Sequence, residues 1–253
     1  MNITVGILSF NNEDTIGRAL SSIDGKFKTI VADSGSTDST EEICKTYHAE
    51  FFFNQFQSFA DQRNFLIKKC KTEFIFFLDS DEALTSDLIS FLEEDFNKQF
   101  SKGNIFRVAR TEYLDAKEIK SGYGRSDYQS RLLRAKNVEY QGDVHETPFD
   151  CTGEQEIELP FNLRILHNPK RDFDSMMERL VSYSRLMSKK KIEQSKKVGI
   201  LIILLNLNWQ FLRLLILSRK EGYRGVLAAW AEALSRTITY LYVYAHNKKK
   251  AHS

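Results

Sequence analysis

An apolar run from Phe74 to Leu78 ends abruptly in two carboxylates, Asp79 and Asp81, with one serine between them. The run has the length and β-prone composition of a strand buried on both faces, as in the parallel sheets of α/β proteins. Open α/β sheets bind ligands at the carboxyl ends of their strands, so both carboxylates are expected at a ligand site. Two hard oxygen ligands at this spacing suit a divalent cation that also binds a diphosphate. The other interpretation is a solvated acidic turn, and the rest of the chain decides between the two.

Strand-like and helix-like patterns alternate along the first hundred residues with short connections, which predicts a mostly parallel sheet flanked by helices. Asn11 or Asn12 is the expected N-cap of the first helix. The segment Leu84–Phe100 is expected to be helical, because its apolar residues recur at helical spacing. The predicted strands cover residues 3–8, 29–32, 51–53, 74–78 and 105–109.

The second predicted strand ends at Asp33 and continues into Ser34-Gly35-Ser36-Thr37-Asp38 before the next helix. Gly35 permits a tight turn close to a ligand, and the N-terminus of the following helix offers backbone donors to a polar or anionic group. Asp33 is placed to accept hydrogen bonds from a nucleobase. Alone, such a cluster is a turn with a helix cap. Its position before the Asp79-Ser80-Asp81 segment favours a binding site.

Several short motifs occur together in a characteristic order. They are Ser9-Phe10-Asn11-Asn12-Glu13, the segment 31–38, Gln62-Arg63-Asn64, the segment 78–82, Arg131-Leu132-Leu133-Arg134 and the segment 140–146. With these motifs the chain resembles the inverting glycosyltransferases of family 2, which have the nucleotide-sugar-binding GT-A fold. The order is most similar to the branch that contains lipopolysaccharide core β-1,4-glucosyltransferases. The chain has Ala32-Asp33-Ser34 where many members have paired aspartates, and it lacks the QxxRW motif of processive synthases, which implies addition of a single sugar.

The resemblance implies a role for each matched residue. Asp33 would recognise the base, and Arg63 would help to hold the nucleotide. Asp81 would ligate Mn²⁺ or Mg²⁺, with His167 and Asp79 as further candidate metal ligands; Asp79 would also lie near the ribose, and His167 has the alternative of a structural role. The general base is expected to be Glu146, with Asp143 and Asp127 as competing carboxylates. The remaining expected donor contacts are Ser9, Phe10, Asn11, Glu13, Arg131, Arg134 and His145.

The net charge of +2 hides an asymmetry between the two parts of the chain. Residues 170–253 hold 17 basic and 6 acidic residues, a net +11, and the remaining residues carry a net −9. This division predicts a GT-A catalytic domain over residues 1–169 and a basic helical region over residues 170–253. Three widely separated cysteines without a CxxC spacing indicate neither a disulfide framework nor a zinc site. The cysteine usage and the lack of a signal-peptide pattern favour a cytoplasmic location.

The segment Val198–Leu217 has 20 residues, enough at about 1.5 Å each to cross a hydrocarbon core of about 30 Å. Arg213 is evidence against spanning, since an arginine within a membrane helix costs up to about 2.5–3.5 kcal/mol. Lysine clusters flank this segment and the amphipathic segment Val226–Tyr244. Together they predict a peripheral or monotopic attachment to an anionic membrane surface, at the cytoplasmic face of the inner membrane. Packing on the catalytic domain or a homodimer through these helices is the alternative, and nucleic acid is not expected.

The sequence as a whole predicts a metal-dependent, inverting transfer of one sugar from a nucleotide-diphosphate donor, UDP-linked, to a membrane-associated acceptor. Lipopolysaccharide core or a lipid-linked glycan is the expected acceptor. Transfer to a polyprenyl phosphate is an alternative, and it would need no general base because a phosphate is already anionic. A non-catalytic scaffold that binds a nucleotide sugar is the other alternative.

Overall fold

The computed structural model describes residues 2–96, 103–114, 117–118, 127–142, 146–153, 155–167, 173–194, 198–217 and 222–251. The chain divides into two compact units. The first comprises residues 1–116 and 126–170, and the second comprises residues 117–125 and 171–253.

The strands are short and connected mainly by helices in the first part of the chain. They are β1 (Ile3–Ser9), β2 (Lys28–Asp33), β3 (Glu50–Phe53), β4 (Phe74–Asp79), β5 (Glu82–Leu84), β6 (Ile105–Leu114), β7 (Lys117–Glu118), β8 (Asp127–Arg134), β9 (Val138–Gln141), β10 (Thr147–Asp150), β11 (Ile157–Glu158) and β12 (Arg164–His167). The helices of the first unit are α1 (Ile16–Ile23), α2 (Thr40–Thr46), α3 (Phe59–Lys69) and α4 (Ser86–Ser90), which continues as a π-helical turn over Phe91–Asp95.

The central sheet of the first unit is mixed, with the strand order β3-β2-β1-β4-β8-β6-β12-β5. The first four strands of this order are parallel, because a helix follows each of β1, β2 and β3 and returns the chain to the same end. The second half is mixed, since β8 is antiparallel to both β4 and β6, β12 is parallel to β6, and β5 is antiparallel to β12. Most pairings of this sheet are parallel, as predicted. The strands β9 and β10 form a separate antiparallel pair.

The strand β4 is buried on both faces, as its apolar run predicts. Phe74, Phe76 and Leu78 belong to a large core cluster on one face, whereas Ile75 and Phe77 belong to a second cluster on the other face. Alternation of consecutive side chains explains this division. Packing on both sides fixes the position of β4, and therefore the place where its carboxyl end emerges.

Two predicted helix boundaries are wrong. Helix α1 begins at Ile16 with Thr15 as its N-cap residue. The backbone carbonyl of Asn12 accepts hydrogen bonds from the backbone amides of Thr15 and Ile16. Neither Asn11 nor Asn12 is the cap. The predicted helix over Leu84–Phe100 starts later, because residues 82–84 pair with β12 as a strand and Thr85 caps α4. Residues 97–100 lie outside the described part of the chain.

The described residues of the second unit from 171 onward form the helices α5 (Phe173–Glu193), α6 (Ile200–Leu217) and α7 (Tyr223–Ala251). Helix α7 packs against both α5 and α6. Small hydroxyl side chains lie between α5 and α7: the Ser184 hydroxyl donates to the carbonyl of Ser235 at 2.9 Å, and Thr239 donates to the carbonyl of Ser184 at 3.4 Å. Within the helices that the structure describes, none combines the length and the apolar character needed to cross a bilayer.

Candidate active site

The carboxyl ends of β1, β2 and β4 bring three of the predicted site residues to one edge of the sheet. In the strand register Ser9 lies opposite Asp33, and Asp79 lies opposite Leu8, the neighbour of Ser9. This is the edge at which open α/β sheets bind ligands.

The turn after β2 is organised by the buried carboxylate of Asp33. Its Oδ2 accepts hydrogen bonds from the backbone amides of Gly35 and Ser36 at 2.8 and 2.7 Å, and its Oδ1 accepts one from the Ser36 hydroxyl. Gly35 has a φ of +105°, a conformation that glycine adopts without a steric penalty. A carboxylate has about four acceptor positions, so this turn already uses most of the capacity of Asp33.

The loop after β1 is joined to this turn by reciprocal hydrogen bonds. The backbone amide of Asn11 donates to the Ser36 hydroxyl at 2.8 Å, and its side-chain oxygen accepts from the backbone amide of Thr37 at 2.9 Å. Glu13 accepts from the amide of Ser39 at 3.0 Å, and its own amide donates to Asp38 at 3.1 Å. The two loops therefore form one polar surface.

Arg131 is the buried cation at this edge, and it pairs with two carboxylates. Its Nη2 lies 2.7 Å from Oδ2 of Asp79 and 2.6 Å from Oε1 of Glu82. The side chain of Arg131 is 4% exposed and that of Glu82 is 0% exposed. The other carboxylate oxygen of Glu82 accepts the backbone amide of Asp79 at 3.0 Å, which closes the turn after β4. The guanidinium thus holds the turn that carries Asp81.

Burial and mutual charge set the protonation of this cluster. Burial, with a smaller contribution from the charge of Asp79, raises the pKa of Glu82 to about 7 against the opposing effect of Arg131. Burial would also raise the pKa of Asp79, but the charges of Arg131 and Arg63 outweigh it and hold that pKa well below its usual range. Asp79 is therefore an anion at neutral pH, and Arg131 stays cationic.

Arg63 connects this cluster to Glu146, the predicted general base. Its Nη2 lies 3.4 Å from Oδ1 of Asp79, and its Nε lies 3.4 Å from Oε1 of Glu146. The guanidinium also lies over the rings of Phe77 and Tyr140, at 5.0 and 5.2 Å from the ring centroids. Arg63 thus contacts two carboxylates at once and packs against two aromatic rings.

Asp81 and His167 form a pair of possible metal ligands, with Oδ2 and Nε2 at 3.3 Å from each other. His167 is brought there by β12, which pairs His167 with Glu82 of β5. Arg18 donates a hydrogen bond to the backbone carbonyl of Asp81. Among the described residues no group of three or more His, Cys, Asp or Glu side chains could hold a metal. One carboxylate and one imidazole fit a cation whose other ligands are phosphate oxygens and water.

Other predicted residues lie elsewhere or outside the described chain. Arg134 pairs with Glu73 and covers the ring of Phe74, at the opposite end of β4 from Asp79, in contrast to its predicted contact with the diphosphate. Asp127 is exposed and accepts a hydrogen bond from Gln129. The structure does not describe Asp143 and His145. Of the predicted donor contacts, Ser9 is buried at the end of β1 and Phe10 is exposed beside it.

A cavity of about 240 Å³ opens beside Arg63 and Glu146. Its wall includes Arg107, Tyr128, Arg131 and Tyr140. The sequence motifs alone indicate no role for Glu82, Arg107 or Tyr140. For Glu82 a signal existed, because it directly follows the Asp79-Ser80-Asp81 segment.

A family model described as glycosyl transferase family 2 matches residues 4–152, which is more than half of the chain. The chain belongs to glycosyl transferase family 2. This confirms the family that the motifs predicted. Among the relatives of this chain, the lipopolysaccharide core biosynthesis glycosyltransferase LpsC of Rhizobium meliloti is 25% identical over 260 residues, covering 97% of this chain and 93% of LpsC.

A second relative of this family 2 glycosyltransferase is the prophage-derived glycosyltransferase SunS of Bacillus subtilis. It is 28% identical over 178 residues, which is 66% of this chain and 39% of SunS, so the chain spans well under half of that relative. Among solved structures, S. aureus TarS in complex with UDP-GlcNAc is similar with a TM-score of 0.52 at 12% identity, over 99% of this chain and 92% of that one. This similarity confirms the predicted GT-A fold.

The burial of Arg131 predicts a large loss of stability when its charge is removed. Replacing Arg131 with Met removes the cation nearest to Glu82 and Asp79 and leaves only the longer contacts, Arg110 at 3.9 Å from Glu82 and Arg63 at 3.4 Å from Asp79. Removal of one partner from a buried ion pair typically costs about 3–5 kcal/mol. We expect Arg131→Met to lower the free energy of unfolding in urea by that amount.

The matched control is Lys28→Met, because Lys28 is also 2.6 Å from its partner Glu50 but both side chains are exposed. An exposed pair contributes about 0–1 kcal/mol, so this variant should unfold close to the wild type. Equal losses in the two variants would contradict a special role for burial at Arg131.

Proposed function

We propose that this glycosyltransferase transfers one sugar, with inversion, from a UDP-linked donor to a sugar hydroxyl of a membrane-associated acceptor, in a reaction that needs a divalent cation. The observation that carries the proposal is the continuous series of ion pairs from Glu146 through Arg63 and Asp79 to Arg131 and Glu82. The series links the Glu146 carboxylate, which can accept a proton, through Arg63 to Asp79, where the turn that holds Asp81 begins, and this link supports the proposal.

Two observations support a UDP-linked donor. The TarS structure similar to this chain was solved with UDP-GlcNAc. The joined loops after β1 and β2 form a polar surface at the sheet edge, and exposed rings of Phe10 and Phe53 border it. A base and a ribose need both polar contacts and apolar ring surface, and this edge offers both.

Asp81 and His167 would hold the cation, either Mn²⁺ or Mg²⁺. A divalent cation at that position supplies positive charge to the diphosphate that leaves with the nucleoside. Two arginines would orient Asp81 for this role. Arg131 holds the turn of Asp81 through its ion pairs with Asp79 and Glu82, and Arg18 donates a hydrogen bond to the backbone carbonyl of Asp81.

Glu146 is proposed as the general base, with Asp143 and Asp127 as the competing candidates. The acceptor hydroxyl oxygen attacks the anomeric carbon, the bond from that carbon to the diphosphate oxygen breaks, and UDP leaves with the bonding electrons. The carboxylate of Glu146 takes the hydroxyl proton. Arg63, at 3.4 Å, is a positioning residue that keeps the carboxylate at the cavity.

The cavity beside Glu146 is the proposed acceptor site. Its volume of about 240 Å³ lies below the range of about 300–1,000 Å³ that is usual for ligand pockets, which favours one sugar ring over a longer segment. Arginine and tyrosine side chains in its wall offer donors for hydroxyl groups and flat surfaces for a sugar ring. The relative LpsC is named for lipopolysaccharide core biosynthesis, and we propose an acceptor of that type at the cytoplasmic face of a bacterial inner membrane.

The Asp81 carboxylate provides the first test. Changes to residues around a metal's ligands typically cost about 10–100-fold in activity, so loss of a ligand should cost about 100-fold or more. We expect Asp81→Asn to lower the Mn²⁺-dependent hydrolysis of UDP-glucose or UDP-GlcNAc by that factor, with an unchanged unfolding transition.

The control for this variant is Asp87→Asn, an exposed carboxylate in α4 on the same chain segment. It should keep the wild-type rate and metal dependence. A wild-type rate in Asp81→Asn would refute the proposed metal site, and binding of UDP-sugars without any turnover by the wild type would favour a non-catalytic scaffold.

The Glu146 carboxylate provides the second test. Glu146→Gln keeps the size of the side chain but cannot take a proton, and loss of a general base typically costs about 10²–10⁴-fold in rate. We expect that loss in single-turnover transfer to lipopolysaccharide core, with little change in affinity for UDP. Glu139→Gln, an exposed change in β9, is the matched control. Full activity of Glu146→Gln would point to Asp143 or Asp127, or to a phosphate acceptor that needs no base.

A further inference from the structure

Helix α6 presents a broad apolar face to solvent. Its large side chains at successive helical turns are each 53–66% exposed: Leu201, Leu204, Leu205, Trp209, Leu212 and Ile216. These positions recur at intervals of three and four residues, which places them on one side of the helix. A contiguous apolar surface of this kind marks an interaction site in soluble proteins.

Asn208 lies within this face and has a polar side chain whose desolvation is made less costly by a hydrogen bond. Asn208 is exposed, and its side-chain amide donates to the carbonyl of Leu204 at 2.9 Å, within the same helix. The free-energy cost of transfer to an apolar medium is smaller for a donor that already has a hydrogen bond within its own helix. Arg213 is the only charged residue between Ile200 and Leu217, and it is exposed near the end of the helix.

Basic and aromatic side chains collect at one end of this three-helix unit. Val198 and Ile203 pack with Val243 in a small core, together with Tyr240 and Tyr244. The beginning of α6 therefore meets the C-terminal parts of α5 and α7. The cations there lie over tyrosine rings, each pair 5.2–5.8 Å from cation to centroid: Lys191 over Tyr240, Lys248 over Tyr244, and Arg185 over Tyr242.

We propose that the exposed face of α6 is a docking surface for an anionic lipid bilayer, with the helix lying in the interface parallel to the membrane. Apolar side chains enter the boundary of the acyl chains, while the basic and tyrosine-rich end beside Leu201 lies at headgroup depth. The net charge of +11 over residues 170–253 complements anionic lipids. The same charge disfavours a second copy as the occupant, because two such surfaces repel each other.

This proposal is independent of the glycosyl transfer reaction, and lipid binding can be measured without a donor or an acceptor. The chain has two tryptophans, so the full-length Trp230→Phe variant reports on Trp209 alone. We expect its fluorescence to shift to the blue with vesicles of phosphatidylcholine and phosphatidylglycerol, and to be quenched when the acyl chains are brominated. Vesicles of phosphatidylcholine alone should bind more weakly.

Two sets of variants separate the apolar and the charged contributions in vesicle flotation. The combined change of Leu201, Leu205 and Leu212 to Gln should abolish flotation, and these exposed positions leave the fold intact. The control changes Phe149 and Phe161 to Gln, two residues of the first unit that are each 51% exposed, and should float like the wild type. Changing Lys189, Lys191 and Lys248 to Gln should weaken binding about fivefold per charge, because each basic residue near such a surface contributes about 1 kcal/mol.

Two results would overturn the proposal. One is a wild-type protein that stays in solution with phosphatidylglycerol vesicles at low salt. The other is a stable dimer in light scattering in which Trp209 fluorescence is already shifted to the blue and brominated lipids do not quench it, since α6 would then face a second copy.

Discussion

The pairing of one buried arginine with two carboxylates connects the fold of the first unit to its chemistry. Arg131 is almost without solvent contact, and a charge in that position is destabilising unless ion pairs and hydrogen bonds compensate it. Its partners are the last residue of β4, Asp79, and the first residue of β5, Glu82. This constraint joins β8 to the turn after β4, and the residue in the middle of that turn is Asp81.

The same constraint extends across the site through Arg63. Asp79 interacts with both arginines, and Arg63 in turn interacts with Glu146 beside the cavity. A group that stabilises the leaving diphosphate and a group that takes the acceptor proton have to be held at a fixed separation, because small misplacements of reacting groups are costly in rate. Shared ion pairs provide such a separation, so the proposed donor and acceptor sites are positioned by one rigid cluster.

The sequence was informative where a pattern has one structural outcome. An apolar run followed by Asp-Ser-Asp predicted a strand buried on both faces and a site at its end, and β4 has both features. It was not informative about which charged residues turn inward. Arg131 and Arg134 lie three residues apart on β8, yet one is in the ion-pair cluster and the other is at the far end of β4 with Glu73. Their chemistry is identical, so their positions on β8 distinguish them: the pairing with β4 puts Arg134 opposite Phe74, and side chains three residues apart on a strand point to opposite faces. The wrong prediction of a helix cap at Asn11 also reflects a contact distant in sequence. Asn11 has a positive φ, and its backbone amide donates to Ser36 in the neighbouring loop.

The central claim is that the Asp81 turn, held by Arg131, binds the diphosphate of UDP together with a divalent cation. Isothermal titration calorimetry of UDP into the wild-type protein, with Mn²⁺ and then with a chelator, tests it most directly. The account predicts binding that is at least about tenfold tighter with Mn²⁺, a difference of about 1.4 kcal/mol. It also predicts that this gain is lost in Arg131→Lys, because the lysine nitrogen ends one bond short of the position of Nη2, the atom that contacts both carboxylates. Equal affinity for UDP with and without the cation would contradict the account.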